Sequence, residues 1–542
     1  MNIFSNEGGI KMALTLLVIS IVIMCCIFFN KISDRFGLPM LLVFIMIGMM
    51  FGSDGIFKIP FDNYSFAEQV CSVALIFIIF YGGFGTKWSE AKQVAGKSLV
   101  MSSGGVIITA LLTGLFCHYV LHFEFLEGML VGAVLSSTDA ASVFSVLRSK
   151  QLSLKYNTAS ILELESGSND PWAYMLTLII LSMIRSSRMI NTYSYMLFAQ
   201  VVYGVVLGAI ISQFAVYVLR KIHFEISGFD TIFVSAIAIL SYALPSIVGG
   251  NGYLSAYIVG IVVGNAGLMN TKTLAHFFDG VTGLCQILIF FLLGLLATPS
   301  QIPNIMGLAI AIFIFLTFIA RPIATFLIMS PFKAPRNQQG VIIWSGFRGA
   351  TSIVFAIMAT VENAITHSDL FHVVFCIVLI SIGLQGTLLP YVARKLDMID
   401  DNGNVLKTFN DYSDEKEVQF IRVVIEENGR WANKQIQELQ LSKGMLIVML
   451  LRGKECVRPV GTTKLLPNDI LVLCGEGFSD DQMFKLEEIR LTKRHEWCSK
   501  EISELPLSDK NFIVIVRRKG KMMIPTGNMK LIEDDVIIMS NL

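Results

Sequence analysis

Charge is what this sequence has least of. Only 15% of its 542 residues are Asp, Glu, Lys or Arg, where a soluble globular chain carries about 25%. A surface so poor in charge cannot face water on all sides, which excludes an ordinary soluble enzyme. The formal net charge of +1 offers no basic face to nucleic acid and no pull toward an acidic partner. Cysteine occurs nine times, but without a C-x-x-C pair or a zinc-like spacing, and mostly inside apolar runs. These residues read as small core side chains, not disulfides or metal ligands. A carbonyl filter of the T-V-G-Y-G kind is missing too, which argues against a potassium channel.

What is abundant is apolar sequence. Hydrophobic residues make up 54% of the chain, and mean hydropathy is +0.65. They gather into about thirteen runs before residue 394, each near the roughly 20 residues that cross a hydrocarbon core. The runs centre near residues 20, 44, 76, 110, 136, 170, 206, 238, 259, 287, 316, 350 and 381. Residues 12–29 lack a small-residue cleavage site and are followed by Lys31 and Arg35, so they read as the first span and not as a secretory signal. Basic residues crowd one set of alternate loops, among them Lys87, Lys92, Lys97, Arg148, Lys150, Lys155, Arg220, Lys221, Lys272, Lys333, Arg336, Arg394 and Lys395. The other set holds only Lys11, Lys58, Arg185 and Arg188. The rich set faces the cytoplasm, so an odd number of spans puts the N-terminus outside and the C-terminal tail inside. The fold class expected is an all-α polytopic membrane protein over residues 1–394, with a soluble tail after a polar linker, 395–417.

The tail repeats itself. Residues 431–474 align with 497–540 at a constant offset and without a gap. Trp431 falls on Trp497, Arg452 on Arg518, Pro459 on Pro525, Gly461 on Gly527 and Asp469 on Asp535. A fixed period signals a duplicated unit. Each unit predicts a short amphipathic helix (434–441; 500–507), a β-rich run (446–451; 512–517), a Pro/Gly turn, and a strand after an acidic turn (470–473; 536–539). Two small α+β modules follow, at 418–476 and 490–542. They resemble the C-terminal module of regulators of potassium conductance, the TrkA-C type. That resemblance implies a regulatory role and a small-molecule regulator, a cyclic dinucleotide such as cyclic di-AMP among the candidates. No G-x-G-x-x-G lies between 395 and 430, so no Rossmann-type nucleotide site is expected.

Ionisable residues inside a membrane mark ion or proton paths by default. Those near the middle of a run are Asp139, Glu163, Glu165, Asp170 and Arg348, whereas Glu68 and Asp279 lie nearer the ends. Asp139 stands among Ser136, Ser137, Thr138, Ala140, Ala141 and Ser142. Small and hydroxyl residues of this kind suit a helix that unwinds at the midplane to expose oxygen ligands. The densest cluster is ILELESGSNDP (161–171), where Ser166 and Asp170 share one helix face and Glu165 and Asn169 another. Pro171 loosens the local hydrogen bonding. Hard monovalent cations need such oxygens, and a carboxyl removed from water can hold either a proton or a cation near neutral pH. Arg348 needs a buried anion, for which Glu165 is the expected partner, leaving both Asp carboxylates free.

STDAASVF (137–144), ELESGSNDP (163–171) and GFRGA (346–350) together resemble the monovalent cation/proton antiporter-1 family, of the NhaP type. The resemblance spans the whole membrane domain. It implies an inverted-repeat antiporter fold with unwound crossing helices, and a secondary transporter, not an enzyme, that exchanges K+ or Na+ for H+. It implies ion binding by Asp139 and Asp170 with oxygens of Thr138 and Ser166. Asn169 would hold the unwound helix, and Glu165 with Arg348 would form a structural pair. It also implies a homodimer in the cell membrane, moving a six-helix core against a dimerisation domain, with no cofactor. Departures are Ala140 and Thr351-Ser352, where relatives often carry proline or Val-Pro, and Tyr81, where many carry an acid. The regulatory tail favours K+ and leaves Na+ open. The alternatives are a tail-regulated K+ channel and a sensor retaining the transporter fold.

Overall fold

A computed structural model of the chain describes residues 16–29, 40–150, 152–185, 190–222, 228–268, 271–362 and 369–400. In the tail it describes 418–425, 431–439, 445–453, 455–476, 485–491, 497–505, 511–518, 521–523 and 525–541, with 427, 429, 441 and 495 between them. Lys11, Lys31, Arg35, Arg188, the first residues of the first span and linker residues 401–417 lie outside the described residues. The chain divides into two compact units, Met1–Ser413 and Asp414–Leu542.

The first unit is helical. Among the described residues seven helices are long and apolar enough to cross a membrane, and Leu16–Phe29, Met40–Phe51, Phe125–Val134, Gly252–Gly264 and Ala350–Val361 are shorter apolar helices. The helices that matter for the site are α1 (Tyr64–Gly85), α2 (Phe125–Val134), α3 (Ala140–Ser149), α4 (Thr158–Arg185), α5 (Gly252–Gly264), α6 (Thr271–Leu296), α7 (Arg321–Met329), α8 (Arg336–Trp344), α9 (Ala350–Val361) and α10 (Thr387–Lys395).

Two of the expected spans are interrupted. The run centred near 136 forms α2 and α3 with Leu135–Asp139 between them, and the run near 350 forms α8 and α9 with Ser345–Gly349 between them. Both gaps are five residues long. Local chemistry accounts for the first, because the Ser136 hydroxyl donates to the Ala133 carbonyl at 2.6 Å and so competes with the helical ladder. In the second, Gly346 and Gly349 weaken helix propensity on either side of Phe347 and Arg348. The gaps abut. The Asp139 N–H donates to the Phe347 carbonyl at 2.9 Å, and Arg348 Nη1 donates to the Ser137 carbonyl at 2.7 Å.

The run holding Pro171 is not interrupted: α4 is helical for 28 residues straight through the proline. Asn251, the N-cap of α5, donates from Nδ2 to the Pro171 carbonyl at 2.8 Å and ties α4 to the start of α5 there. Two π-helical turns, Leu316–Ala320 and Ser381–Gly386, lead into α7 and α10. Pro322 follows the first, and its missing N–H and its ring explain the disturbed ladder there.

The start of the linker is stitched to the loop between α3 and α4. Leu154 and Ile399 form an antiparallel bridge. The Lys155 N–H donates to the Met398 carbonyl and the Asp400 N–H to the Ser153 carbonyl, each at 2.9 Å. Leu154 and Met398 are buried in one apolar cluster with Val143 and Leu147 of α3, Ile161 and Leu162 of α4, and Phe347.

The tail unit holds two antiparallel sheets. Strands β1 (Val418–Val424), β2 (Leu446–Arg452), β3 (Glu455–Val457) and β4 (Ile470–Glu476) are ordered β1-β4-β2-β3. Strands β5 (Lys485–Arg490), β6 (Asn511–Arg518), β7 (Lys521–Met523) and β8 (Val536–Asn541) repeat that order as β5-β8-β6-β7. The expected strands are present. The expected helices are not: among the described residues only single 3-10 turns, Ile436–Glu438 and Ile502–Glu504, occupy those places. Their backbone N–H groups are committed elsewhere. Ile436 and Gln437 donate to the Thr463 and Gly461 carbonyls, and Ile502 and Ser503 to the Met529 and Gly527 carbonyls, at 2.9–3.1 Å.

Each sheet is clasped by an arginine on a buried aspartate. Arg452 reaches Asp469 through Nε at 2.9 Å and Nη2 at 2.8 Å, and Arg518 reaches Asp535 at the same two distances. The Arg452 hydrogen bonds hold the Asp469 carboxyl below the usual carboxylate range, against the opposing effect of burial. At Asp535 burial pushes upward, but the Arg518 bonds and the Ile532 N–H outweigh it and the net shift is again downward.

Candidate functional site

The two interruptions bring together residues that are far apart in sequence. Asp139 closes the first gap and turns back on the first turn of α3. Its Oδ2 accepts from the Ser142 hydroxyl at 2.5 Å and its Oδ1 from the Ser142 N–H at 3.3 Å. Asp170, midway along α4, accepts at Oδ1 from the Ser137 hydroxyl. Its Oδ2 accepts from the Thr351 hydroxyl of α9 at 3.1 Å. Both carboxylates are half-buried, whereas Ser137, Thr138, Ser142, Ser166 and Asn169 around them are buried.

Gly349 closes the second gap at the place where Asp139 closes the first. A Cβ on Gly349 would collide with the Asp139 carboxylate. The glycine is needed for room and not for an unusual backbone, since its conformation is extended.

Thr138 is held from α4 on both sides. Its carbonyl accepts from the Ser166 hydroxyl at 2.7 Å, and its hydroxyl accepts from Asn169 Nδ2 at 2.6 Å. Ser166 and Asn169 therefore both bond Thr138 and fix the unwound segment against α4. The hydroxyls that touch the carboxylates are those of Ser137, Ser142 and Thr351, which the sequence reading did not put forward as ligands.

The buried ion pair differs from expectation. Glu165 pairs with Arg321 of α7, Oε1 to Nη1 at 2.7 Å, and not with Arg348. Arg321 also lies against the second gap, where a Cβ on Gly346 would sit 2.9 Å from its Nε. Arg348 instead spends Nη1 on the Ser137 carbonyl, while the Ser381 hydroxyl accepts its backbone N–H at 3.0 Å. The physical reason is the broken backbone. The gap at 135–139 leaves carbonyls without helical donors, and a guanidinium beside them satisfies one. Arg348 lies within electrostatic reach of both Arg321 and Glu165. Arg321, at 3% exposure, and Arg348, at 0%, are both buried. A lone arginine inside the apolar run 316–329 was the signal for Arg321.

Of the other acidic candidates, Glu163 and Glu68 are half-buried and Asp279 is exposed. Tyr81 donates from its hydroxyl to Asp279 Oδ1 at 3.4 Å, two turns into α6. Among the described residues no cluster of three or more His, Cys, Asp or Glu side chains could hold a metal ion. The site offers two carboxylates with hydroxyl and carbonyl oxygens, the donor set of a weakly held cation.

Two carboxylates, one in the first of two abutting helix interruptions and the other on the continuous helix beside it, inside a bundle of apolar helices, define a multi-pass membrane transporter of ions. The sodium/hydrogen exchanger transmembrane family matches residues 17–395, and the TrkA-C domain matches residues 420–477 and 486–540. The chain belongs to the sodium/hydrogen exchanger family and carries two TrkA-C domains. It is 33% identical over 469 residues to the K+/H+ antiporter NhaP of Alkalimonas amylolytica, covering 85% of this chain and 81% of that one. It is 30% identical to the K+/H+ antiporter NhaP2 of Shewanella baltica, covering 82% and 78%. The solved structure of the sodium proton antiporter MjNhaP1 from Methanocaldococcus jannaschii at pH 8 shares the fold, with a TM-score of 0.61 at 22% identity. That likeness covers 70% of this chain and 99% of the other.

Proposed function

We propose that the chain exchanges a monovalent cation, K+ before Na+, for protons at Asp139 and Asp170. The observation that carries the reading is the pair of half-buried carboxylates, each already bound by a hydroxyl. A hydroxyl donates to a carboxylate when the site is empty and turns its lone pairs to a cation when one enters. A proton on the carboxyl removes the negative charge the cation needs, so the two cargoes compete for one place. Competition of this kind, alternately exposed to the two sides, is sufficient for exchange. Thr138, Ser166 and Asn169 keep the unwound segment in place during the cycle, and Glu165, Arg321 and Arg348 brace it from behind. K+ is favoured by the names of the NhaP and NhaP2 relatives and by the two TrkA-C domains.

In this reading residues 1–394 form the exchanger, 395–417 the linker, and 418–476 and 490–542 the regulatory modules. The protein works as a homodimer in the cell membrane with its N-terminus outside and its tail in the cytoplasm, as the basic loops imply. A small molecule of the cyclic dinucleotide class is the regulator to try on the tail.

The test is proton flux in sealed vesicles on addition of K+, Na+ or Li+. Wild-type protein should move protons in response to K+, and Asp170→Asn should abolish the response. Equal flux in the two proteins, or no cation-dependent flux in wild type, refutes the reading.

A further inference from the structure

The geometry points to Thr351 as a residue that sets cation affinity, by presenting its hydroxyl oxygen to the ion held at Asp170. This rests on the exchange reading above and adds a ligand from the other half of the fold.

Asp170 is gripped at both oxygens, from two different helix systems. Ser137, in the first interruption, donates to Oδ1. Thr351, in the first turn of α9 just beyond the second interruption, donates to Oδ2 at 3.1 Å. Ser137 is buried, but Thr351 is half-buried, as Asp170 is. Of the two residues that donate to Asp170, Thr351 is thus the one that, like Asp170, keeps some exposure, and the cation is placed on its side of the carboxylate.

The backbone at this end favours the two carboxylates, and not the cation itself, and so gathers the negative charge that a cation needs. The first turn of a helix has N–H groups without helical acceptors and a partial positive charge, and α9 is twelve residues long. Asp139 packs against Gly349 at that end while Asp170 is held by Thr351 two residues later. Both carboxylates thus meet the start of α9. Thr351 is a side chain there that can turn from donor to ligand without moving the backbone, by rotation of its O–H about the Cβ–Oγ1 bond. A neutral hydroxyl oxygen adds a ligand without adding charge, so the field stays weaker than a further carboxylate would make it, which suits a large, easily dehydrated monovalent ion.

The experiment compares wild type, Thr351→Val, Thr351→Ala and Thr351→Ser in sealed vesicles, as full chains, with K+ titrated against proton flux. Val keeps the shape and removes the oxygen. The KM for K+ should rise roughly tenfold in Thr351→Val and Thr351→Ala, the effect of one hydrogen-bonding oxygen at a charged group. Vmax should stay within about threefold, the mark of lost binding and not lost turnover. Thr351→Ser should restore KM to within about twofold of wild type. A bracing role would instead lower Vmax or the yield of folded protein and leave KM alone. An unchanged KM in both oxygen-free variants overturns the inference, and so does a Ser variant that behaves like Val. If wild type itself shows no K+-dependent flux, the exchange reading has failed instead. Should Thr351→Val not fold, Thr351→Ala and Thr351→Ser decide the matter between them.

Discussion

Removing Glu165 should damage this protein more than removing its partner Arg321. The pair is buried on both sides, with Glu165 at 1% and Arg321 at 3% exposure, and is joined by a single contact of 2.7 Å. Breaking a buried pair by deleting one member usually costs about 3–5 kcal/mol, because the other charge is left without compensation. Here the two deletions are not equivalent. Arg348 lies within electrostatic reach of both partners, and among the described residues its Nε and Nη2 have no hydrogen-bond partner. In Arg321→Met, Glu165 keeps a guanidinium neighbour with spare donors, and the loss should shrink to about 1–3 kcal/mol, that of one charged hydrogen bond. In Glu165→Gln, two buried guanidiniums within electrostatic reach of each other lose that carboxylate, and the full cost of about 3–5 kcal/mol applies. The double variant should then be more stable than Glu165→Gln alone, since it removes one of the two stranded cations. Thermal unfolding of the purified proteins in detergent, followed by size-exclusion chromatography, gives the order directly. An Arg321→Met protein as unstable as Glu165→Gln, or a double variant with strictly additive losses, would refute the shared-carboxylate account.

Three further outcomes can be checked with the same material. Gly349→Ala should fold but lose at least about tenfold in exchange rate, because its methyl group displaces the Asp139 carboxylate and a misplaced group is that costly; vesicle flux measures it, and wild-type rates would refute it. Asp535→Ala should destabilise the second sheet by about 1–3 kcal/mol, since it strands the Arg518 donors and the Ile532 N–H; hydrogen exchange of peptides covering 511–541 reads this, with the first sheet as internal control. The Asp469 and Asp535 carboxyls lie below their ordinary range in the folded tail. Their contribution is therefore present above the unfolded value of about 4 and is lost as pH falls through the lower folded value. Exchange protection in both sheets should survive at pH 5 and fall only below about pH 4, and loss already at pH 6 would contradict the assignment.

The carboxylates and the interruption at Asp139 were legible in the sequence because hydrocarbon makes polar residues conspicuous. Asp139 among serines and Asp170 beside Asn169 and Pro171 stand out from any apolar background. Arg348 was legible for the same reason, but its partner was not. Pairing depends on which donors a broken backbone claims first, and the gap at 135–139 took Arg348 through the Ser137 carbonyl. Arg321 then reached Glu165 from beyond a π-helical turn, whose extra residue shifts helix phase in a way periodicity does not reveal. Pro171 loosens the ladder without breaking it, since α4 runs on through it, and the tie from Asn251 to its carbonyl comes from 80 residues away in sequence. In the tail, the apolar spacing of 434–441 fits a helix on its own. Cross-connections from Gly461 and Thr463, invisible to local pattern, hold it as a single turn.

The stitch at Leu154 and Ile399 gives the chain a handle. Residues 396–400 leave the bundle pinned, by backbone hydrogen bonds and a buried methionine, to the loop that joins the helix after Asp139 to the helix bearing Asp170. A tug transmitted along the chain from beyond residue 400 therefore lands first on that loop, wherever the modules at its far end happen to be. The load is shared between backbone bonds and apolar packing, while the exposed Lys155–Asp397 contact adds little. What the linker can deliver to the carboxylates is set by how firmly these few residues grip, more than by its own length.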